Sequence, residues 1–584
     1  MQPARSRLLL VVLLAFGLAS PLAMTQQADL HPPRRSVRRG PVVKTDLPPI
    51  KAEFHDLAEA AGLVATNESG GREAKKYLFE TTGSGVALFD FDNDGLLDIY
   101  LANGTTLAGA RGTREPTGHL YRNRGGLRFD DVTERVNLTR TGWGQGVCVA
   151  DYNNDGFRDL FVTYYGQSVL YRNDGRGRFQ DVTTSAGLAR AGTRWDTGCT
   201  FVDYDRDGHL DLFIANYVAF DPAKVPEPGS RDTCRHKGIA VPCGPPGLPY
   251  AQHYLFRNRG DGTFADVSAT SGVRAAAGCY GLTASASDFD NDGFPDLYVA
   301  CDLSPSQLFR NLRNGRFEET GLLAGVALNE DGQTQAGMGL AIADYDENGT
   351  YDIAKTNFSD DVPNLYHNLG QLTFEDRVFE AGIGVHMNVV GWGVHLLDVD
   401  HDGRRDLLMV NGHVYPQAEQ RPGMSFKQPK LLYWNIGGRF VDISDRAGPA
   451  MTERWSSRGS AAGDLDNDGS LEVVVSNLHD RPSLLRNIGQ KKNWLLVECV
   501  GTTMNRDAMG ARVWVEVAGR RLSAEIQGGG SYLSQNDPRA HFGLGDAASF
   551  DRIEVQWLGG RREVFPGGGG NRLVTLRQGT GKAP

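Results

Sequence analysis

Seven times along the chain an acidic loop recurs with the pattern Asp-x-[Asp/Asn]-x-[Asp/Asn]-Gly-x-x-[Asp/Glu]. Its oxygen-bearing positions are Asp90, Asp92, Asp94 and Asp98 in the first copy, and Asp151, Asn153, Asp155 and Asp159 in the second. The third and fourth supply Asp203, Asp205, Asp207 and Asp211, then Asp288, Asp290, Asp292 and Asp296. The fifth has Asp344, Asp346, Asn348 and Asp352, and the sixth Asp398, Asp400, Asp402 and Asp406. Asp464, Asp466, Asp468 and Glu472 close the series. Side-chain oxygens at positions 1, 3 and 5, a turn-forming Gly at 6 and a carboxylate at 9 suit a hard cation that takes six or more oxygens. Calcium is that cation, and position 7 is expected to add its backbone carbonyl. Turn chemistry alone explains one or two Asp or Asn residues per loop, not three or four acids. Without a cation, such clusters repel. About seven calcium sites are therefore expected, with copies two and five weakened by Asn153 and Asn348.

A second constellation is thinner. His386, His395, His413 and Tyr415, with Trp143 and Trp392 of a repeated Gly-Trp-Gly phrase, could gather at a face of the fold as ligands or acid/base groups. No HExxH, Walker loop or GxSxG accompanies them. Packing at strand ends is the expectation, and catalysis the alternative. Arg259-Gly260-Asp261 falls inside a repeat turn and is read as a turn.

The elements that must position the loops are strands. Each loop separates two apolar runs, as in GSGVALFDFDNDGLLDIYLAN from Gly83, which reads as a hairpin. Downstream comes an Asn anchor (123, 173, 258, 311, 368, 435) and then a Phe (129, 179, 264, 317, 374, 440), a third and a fourth strand. Four strands at a period of about 62 residues make a propeller blade. The seventh copy stops at Leu484–Gln490 without its Phe strand, and FHDLAEAAGL from Phe54 supplies it. The expected fold is all-β: a seven-bladed β-propeller over 51–490, closed by the segment 54–63. Alternating apolar strands over 493–578 predict a small C-terminal β-sandwich, followed by a tail at 579–584. Its polar phrases, Asn505-Arg506-Asp507 and Gly528 to Pro538, are either a binding rim or turns packed on the propeller.

The 584 residues carry 61 Lys+Arg against 71 Asp+Glu, a net charge of −10, which argues against a nucleic-acid binder. Arg5 and Arg7 followed by an apolar Leu8–Leu18 read as a signal peptide over 1–19, with a Pro/Arg-rich leader over 20–50. No membrane span is expected after its removal, so the chain reads as exported, extracellular or periplasmic. Of seven cysteines, Cys234 and Cys243 are the expected disulfide, and Cys279 with Cys301 a weaker candidate pair. Cys148 and Cys199 read as buried thiols, and Cys499 need not pair.

The repeats resemble FG-GAP/VCBS repeats, the calcium-bearing hairpins of integrin-α-type propellers. The tail resembles the ASPIC/UnbV domain in NRDAMGARV, GGGSYLSQNDPRAHFGLG and IEVQWLGG. Together they look like the cartilage acidic protein family and its bacterial secreted relatives, over about residues 54 to 578. The resemblance implies a secreted calcium-binding propeller, associated in animals with the extracellular matrix; one named bacterial relative sits among enediyne biosynthesis proteins. Function transfers poorly across such folds. The expected role is a scaffold for protein or glycan ligands, including a surface formed by the insertion from Phe220 to Tyr250. The alternative is a calcium-dependent enzyme, acting on polysaccharide or in natural-product biosynthesis.

Overall fold

The computed structural model describes residues 41–46, 50–107, 117–230 and 233–584. The expected signal peptide and most of the expected leader lie outside them. Strands flanking the acidic loops, such as Val86–Phe89 and Asp98–Leu101, are buried at every position. Both faces of each sheet are therefore covered, which is why these runs are apolar rather than alternating.

The repeat strands fall into seven groups of four. The first group runs Val86–Phe89, Asp98–Leu101, His119–Asn123, Phe129–Asp131. In the last, Ser457–Gly463, Glu472–Asn477 and Ser483–Asn487 are completed by Phe54–Asp56, antiparallel, with Phe54 opposite Asn487. The second and third groups join into one eight-stranded sheet through Arg194 and Trp195 paired with Gly166 and Tyr165. Each group's first strand packs on that of the next, and Val86–Phe89 touches both Trp143–Ala150 and Ser457–Gly463. The array closes on itself as a β-propeller.

The anchor asparagines explain the closure. Asn173 Nδ2 donates to Phe91 O of the preceding repeat at 2.7 Å, Asn258 to Tyr152 O at 2.8 Å, and Asn487 to Val399 O at 2.8 Å. Asn123 reaches across the seam to Leu465 O of the last repeat at 2.7 Å and also holds Leu97 O at 2.9 Å. A buried amide satisfying two carbonyls leaves both orphaned when removed. Asn123→Ala is expected to cost about 3 kcal/mol in urea unfolding of the intact chain; a loss under about 0.5 kcal/mol would mean that the seam does not depend on it.

After Gln490 two further sheets share one apolar core that includes Leu495, Val515, Phe542 and Trp557. Asn493–Val500, Ala540–Gly545 and Arg572–Arg577 form one; Arg512–Val517, Arg520–Glu525, Ser549–Gln556 and Arg562–Gly569 form the other. Between them the phrase Gly528 to Pro538 leaves the domain and fills the propeller axis. Tyr532 and Leu533 are fully buried there, against Trp143, Trp195 and Trp392. Backbone bonds lock it in place: Val147 N to Leu533 O at 3.0 Å, Leu340 N to Ser531 O at 2.8 Å, and Gln535 N to Val86 O at 2.9 Å. Glycine makes room, since a Cβ on Gly85 would lie 1.8 Å from Leu533 O. At the other end Phe220, Ile239 and Val241 of the insertion join the same aromatic cluster. Of the two expectations for Gly528–Pro538, packing on the propeller is the observed one.

Cys234–Cys243 and Cys279–Cys301 are bridged, and Cys499 is a buried free thiol. Cys148 and Cys199 correct the expectation of free thiols: they form a third disulfide. They sit on adjacent first strands of repeats two and three, where packing brings their Cα atoms to 5.9 Å. The Arg259-Gly260-Asp261 segment is a turn, with Asp261 Oδ1 accepting from Thr263 N at 3.0 Å.

Candidate metal centres

All seven loops are built alike. The position 1 carboxylate accepts the N–H groups of positions 5 and 6: Asp90 from Asp94 at 3.1 Å and Gly95 at 2.8 Å, Asp398 from Asp402 at 3.1 Å and Gly403 at 2.8 Å. Asp151, Asp203, Asp288, Asp344 and Asp464 repeat the arrangement. Position 4 is left-handed in every copy (Asn93, Asn154, Arg206, Asn291, Glu347, His401, Asn467), with φ between 57° and 64°. Asn takes this conformation most readily among residues with a Cβ, and the Gly at position 6 is also at positive φ. The loop thereby curls its side-chain oxygens inward.

The acid at position 9 opens the second strand and ties the blade together. Asp98 accepts from Asn123 N at 2.8 Å and from Phe91 N at 3.0 Å. Asp159, Asp211, Asp296, Asp352 and Asp406 likewise accept from the N–H of their anchor Asn. Glu472, one methylene longer, still accepts from Leu465 N at 3.1 Å.

Position 3 carries the informative feature. Asp92 Oδ1, Asp205 Oδ1, Asp346 Oδ1, Asp400 Oδ1 and Asp466 Oδ1 are buried without a hydrogen-bond partner. Asp159 Oδ2 and Glu472 Oε1 at position 9 are orphaned as well. Buried carboxylate oxygens without partners are costly. They recur at one loop position, so several loops share the same unpartnered acceptor. Grouped oxygens within 4.8 Å of one another include those of Asp90, Asp92 and Asp94; Asp203, Asp205 and Asp211; Asp288, Asp290 and Asp292; and Asp398, Asp400 and Asp406. This donor set fits calcium.

A partner that sequence reading missed orients these acids. In several repeats an Arg before the anchor Asn sends its guanidinium to the outer oxygens. Arg122 meets Asp92 at 2.6 Å and Asp94 at 3.1 Å, Arg257 meets Asp205 at 2.7 Å, and Arg486 meets Asp466 and Asp468, each at 2.6 Å. Each Arg holds Oδ2 of its position 3 acid and leaves Oδ1 facing inward. The signal was present in the repeated Tyr-Arg-Asn and Phe-Arg-Asn phrases.

Burial raises the acids first, and like charges add to it. Asp98 and Asp398 are pushed up to about 8, and Asp151, Asp203 and Asp288 to about 7. The C-terminal domain intensifies three copies by capping the position 1 N–H with a carboxylate. Asp507 accepts from Asp151 N at 2.7 Å, Glu525 from Asp288 N at 3.3 Å, and Asp537 from Asp464 N at 3.4 Å. Arg512 and Arg520 donate to the loop carbonyls Gly349 O and Asp402 O, each at 2.6 Å. The domain sits on the acidic-loop end of the ring.

The second constellation does not assemble. His395 is buried beside Ser460 Oγ at 2.8 Å, held down to about 3 by burial, under the Ser531 of the inserted loop. His386 pairs with Asp442 at 2.6 Å on the half-exposed rim. His413 and Tyr415 lie against His236 of the insertion, with ring centroids 5.6 and 5.8 Å from it. Trp143 packs at a tilt on Phe79, and Trp392 donates to Gly412 O at 2.7 Å. Trp143, Trp392 and Tyr415 share the apolar axial core, while His386 and His395 lie apart from each other.

Comparison with known proteins agrees with the repeats and the tail. The FG-GAP-like repeat family matches residues 90–162, 151–214, 248–299 and 288–354, and the ASPIC and UnbV family matches 501–583. Cartilage acidic protein 1 of Mus musculus is 26% identical over 510 residues, covering 82% of this chain and 70% of that protein. The Homo sapiens protein of the same name is 26% identical over 491 residues, covering 82% of this chain and 60% of its own. Among solved structures, an Agrocybe aegerita lectin specific for non-reducing terminal N-acetylglucosamine superposes with a TM-score of 0.38 at 16% identity, over 63% of this chain and 82% of that one. Rhamnogalacturonan lyase YesW gives 0.35 at 10% identity, over 74% and 75%.

Proposed function

We propose, for a chain that carries FG-GAP-like repeats and an ASPIC and UnbV domain and is a homologue of cartilage acidic protein 1, the role of an exported calcium-binding scaffold. Its propeller is read as seven blades with one calcium loop each, and its exposed surface as the platform for a protein or glycan ligand. The observation that carries the calcium reading is the set of buried, partnerless position 3 oxygens. Bound calcium would supply positive charge between acids that otherwise repel, and so rigidity to the loop end of every blade. The side chains at positions 1, 3, 5 and 9 would hold it.

Export is supported by three disulfides, which suit an oxidising compartment. Among the described residues no helix is long and apolar enough to cross a membrane. The scaffold reading is favoured over the enzyme alternative because the ring axis is filled by Tyr532 and Leu533. Elemental analysis of the chain desalted from calcium buffer should find several Ca²⁺ per molecule. Asp203→Ala is expected to lose one equivalent while the rest stay. A calcium-free wild type would overturn the metal assignment, and a partner captured equally well in chelator would overturn the calcium-dependent platform.

A further inference from the structure

Repeat five differs from the others where the orienting cation stands. Arg122, Arg172, Arg257, Arg310 and Arg486 precede their anchor Asn, and Trp434 does so in repeat six; here it is His367. An arginine can neutralise a carboxylate but has no acceptor with which to bind a metal, whereas an imidazole nitrogen is a metal ligand. His367 is 5% exposed, and its buried Nδ1 faces two carboxylates of the loop. That atom stands 3.3 Å from Asp346 Oδ2 and 3.3 Å from Asp352 Oδ1. Ligands about 2.1 Å from a common metal lie roughly 3.0–3.4 Å apart at octahedral to tetrahedral angles. Asp346 Oδ1 is orphaned beside them, and the three residues form a metal-sized cluster. Asp344 and the Asn348 carboxamide belong to the same loop, where Asn348 replaces an acid that calcium would favour.

We propose that repeat five is a mixed oxygen–nitrogen site for a first-row transition dication of the Mn²⁺ to Zn²⁺ kind, held by Asp344, Asp346, Asp352 and His367. The proposal rests on reading the loops as cation sites, and it separates this loop from its siblings. Calcium takes oxygen donors, whereas the dications of this series also accept imidazole, so nitrogen at this position shifts selectivity away from calcium. The competing account is that His367 stands in for arginine as a plain cation between two acids.

The test uses the full mature chain, stripped with chelator and then equilibrated with excess calcium and one equivalent of Mn²⁺. One Mn²⁺ per chain should survive gel filtration, and its pulsed EPR spectrum should carry a nitrogen coupling. His367→Arg restores the sibling arrangement; it should keep the calcium content but bind Mn²⁺ at least about tenfold more weakly. The EPR coupling is read on the unaltered chain and so stands even if the variant folds poorly. Manganese displaced by calcium, a spectrum without nitrogen coupling, or equal retention by His367→Arg would each overturn the proposal. Calcium bound at the other loops with no retained Mn²⁺ would sink this site alone. Retained Mn²⁺ without any calcium would uphold this site and sink the calcium reading.

Discussion

Chelation is expected to lower the melting temperature of the calcium-loaded chain by roughly 10–25 °C. Extracellular calcium modules have dissociation constants of about 10⁻⁴–10⁻³ M. At 1 mM calcium, on the order of extracellular levels, the tighter limit gives roughly 1.4 kcal/mol of linkage stabilisation per site. Seven independent sites of that strength approach about 10 kcal/mol, which is of the order of a whole domain's stability. That stabilisation resides in the loops, where stripping leaves several acids within reach of one another and their position 3 oxygens unsatisfied. The second, fourth and seventh loops, which also face Asp507, Glu525 and Asp537, should suffer most. Differential scanning calorimetry with and without chelator is the check. Coincident melting curves would mean that the arginines and backbone N–H groups satisfy these acids without a cation.

Much of this architecture was legible because each repeat writes its own structure. Asp, Gly and the acid at position 9 specify the loop, and the Asn and Phe anchors mark the outer strands. The missing seventh Phe strand pointed to Phe54, and the backbone pairs Phe54 with Asn487. What escaped depends on residues distant in sequence. Asn123 reads as a strand marker, yet its amide joins residues 342 positions apart at the ring seam. Cys148 and Cys199 look like apolar strand positions, and only the packing of adjacent first strands makes them a pair. Gly528–Pro538 has the composition of a turn; its place in the axis follows from small residues elsewhere in the chain, such as Gly85, hundreds of residues earlier, and Gly459. The histidines were legible as chemistry-bearing residues but not as scattered ones. His367 was passed over because it stands in a strand phrase rather than in a loop.

Acid should weaken the folded chain through three buried imidazoles. Burial holds His253 down to about 4 and His395 and His479 down to about 3. In the unfolded chain each titrates near 6.5. Between those limits the unfolded state binds more protons than the native one, so stability rises with pH in that window. Read downward, their contribution is complete above about pH 6.5 and is lost progressively as pH falls toward 4. Two pH units below the unfolded value, each site costs on the order of 2–3 kcal/mol, and the three together roughly 8 kcal/mol. His395 is the sharpest case, since its Nε2 lies 2.8 Å from Ser460 Oγ and 3.4 Å from Ser531 Oγ, where the C-terminal loop enters the axis. Protonation there sets a charge in the core that docks Ser531 and Tyr532. The buried acids of the seven loops shift with the opposite sign, and on the proposed reading their protonation would also release calcium, so the wild-type curve mixes both effects. Comparison with His395→Asn isolates the imidazole. Between pH 6.5 and 4.5 the variant should lose about 2–3 kcal/mol less than the wild type in urea unfolding. Parallel curves over that range would show that His395 does not titrate against folding.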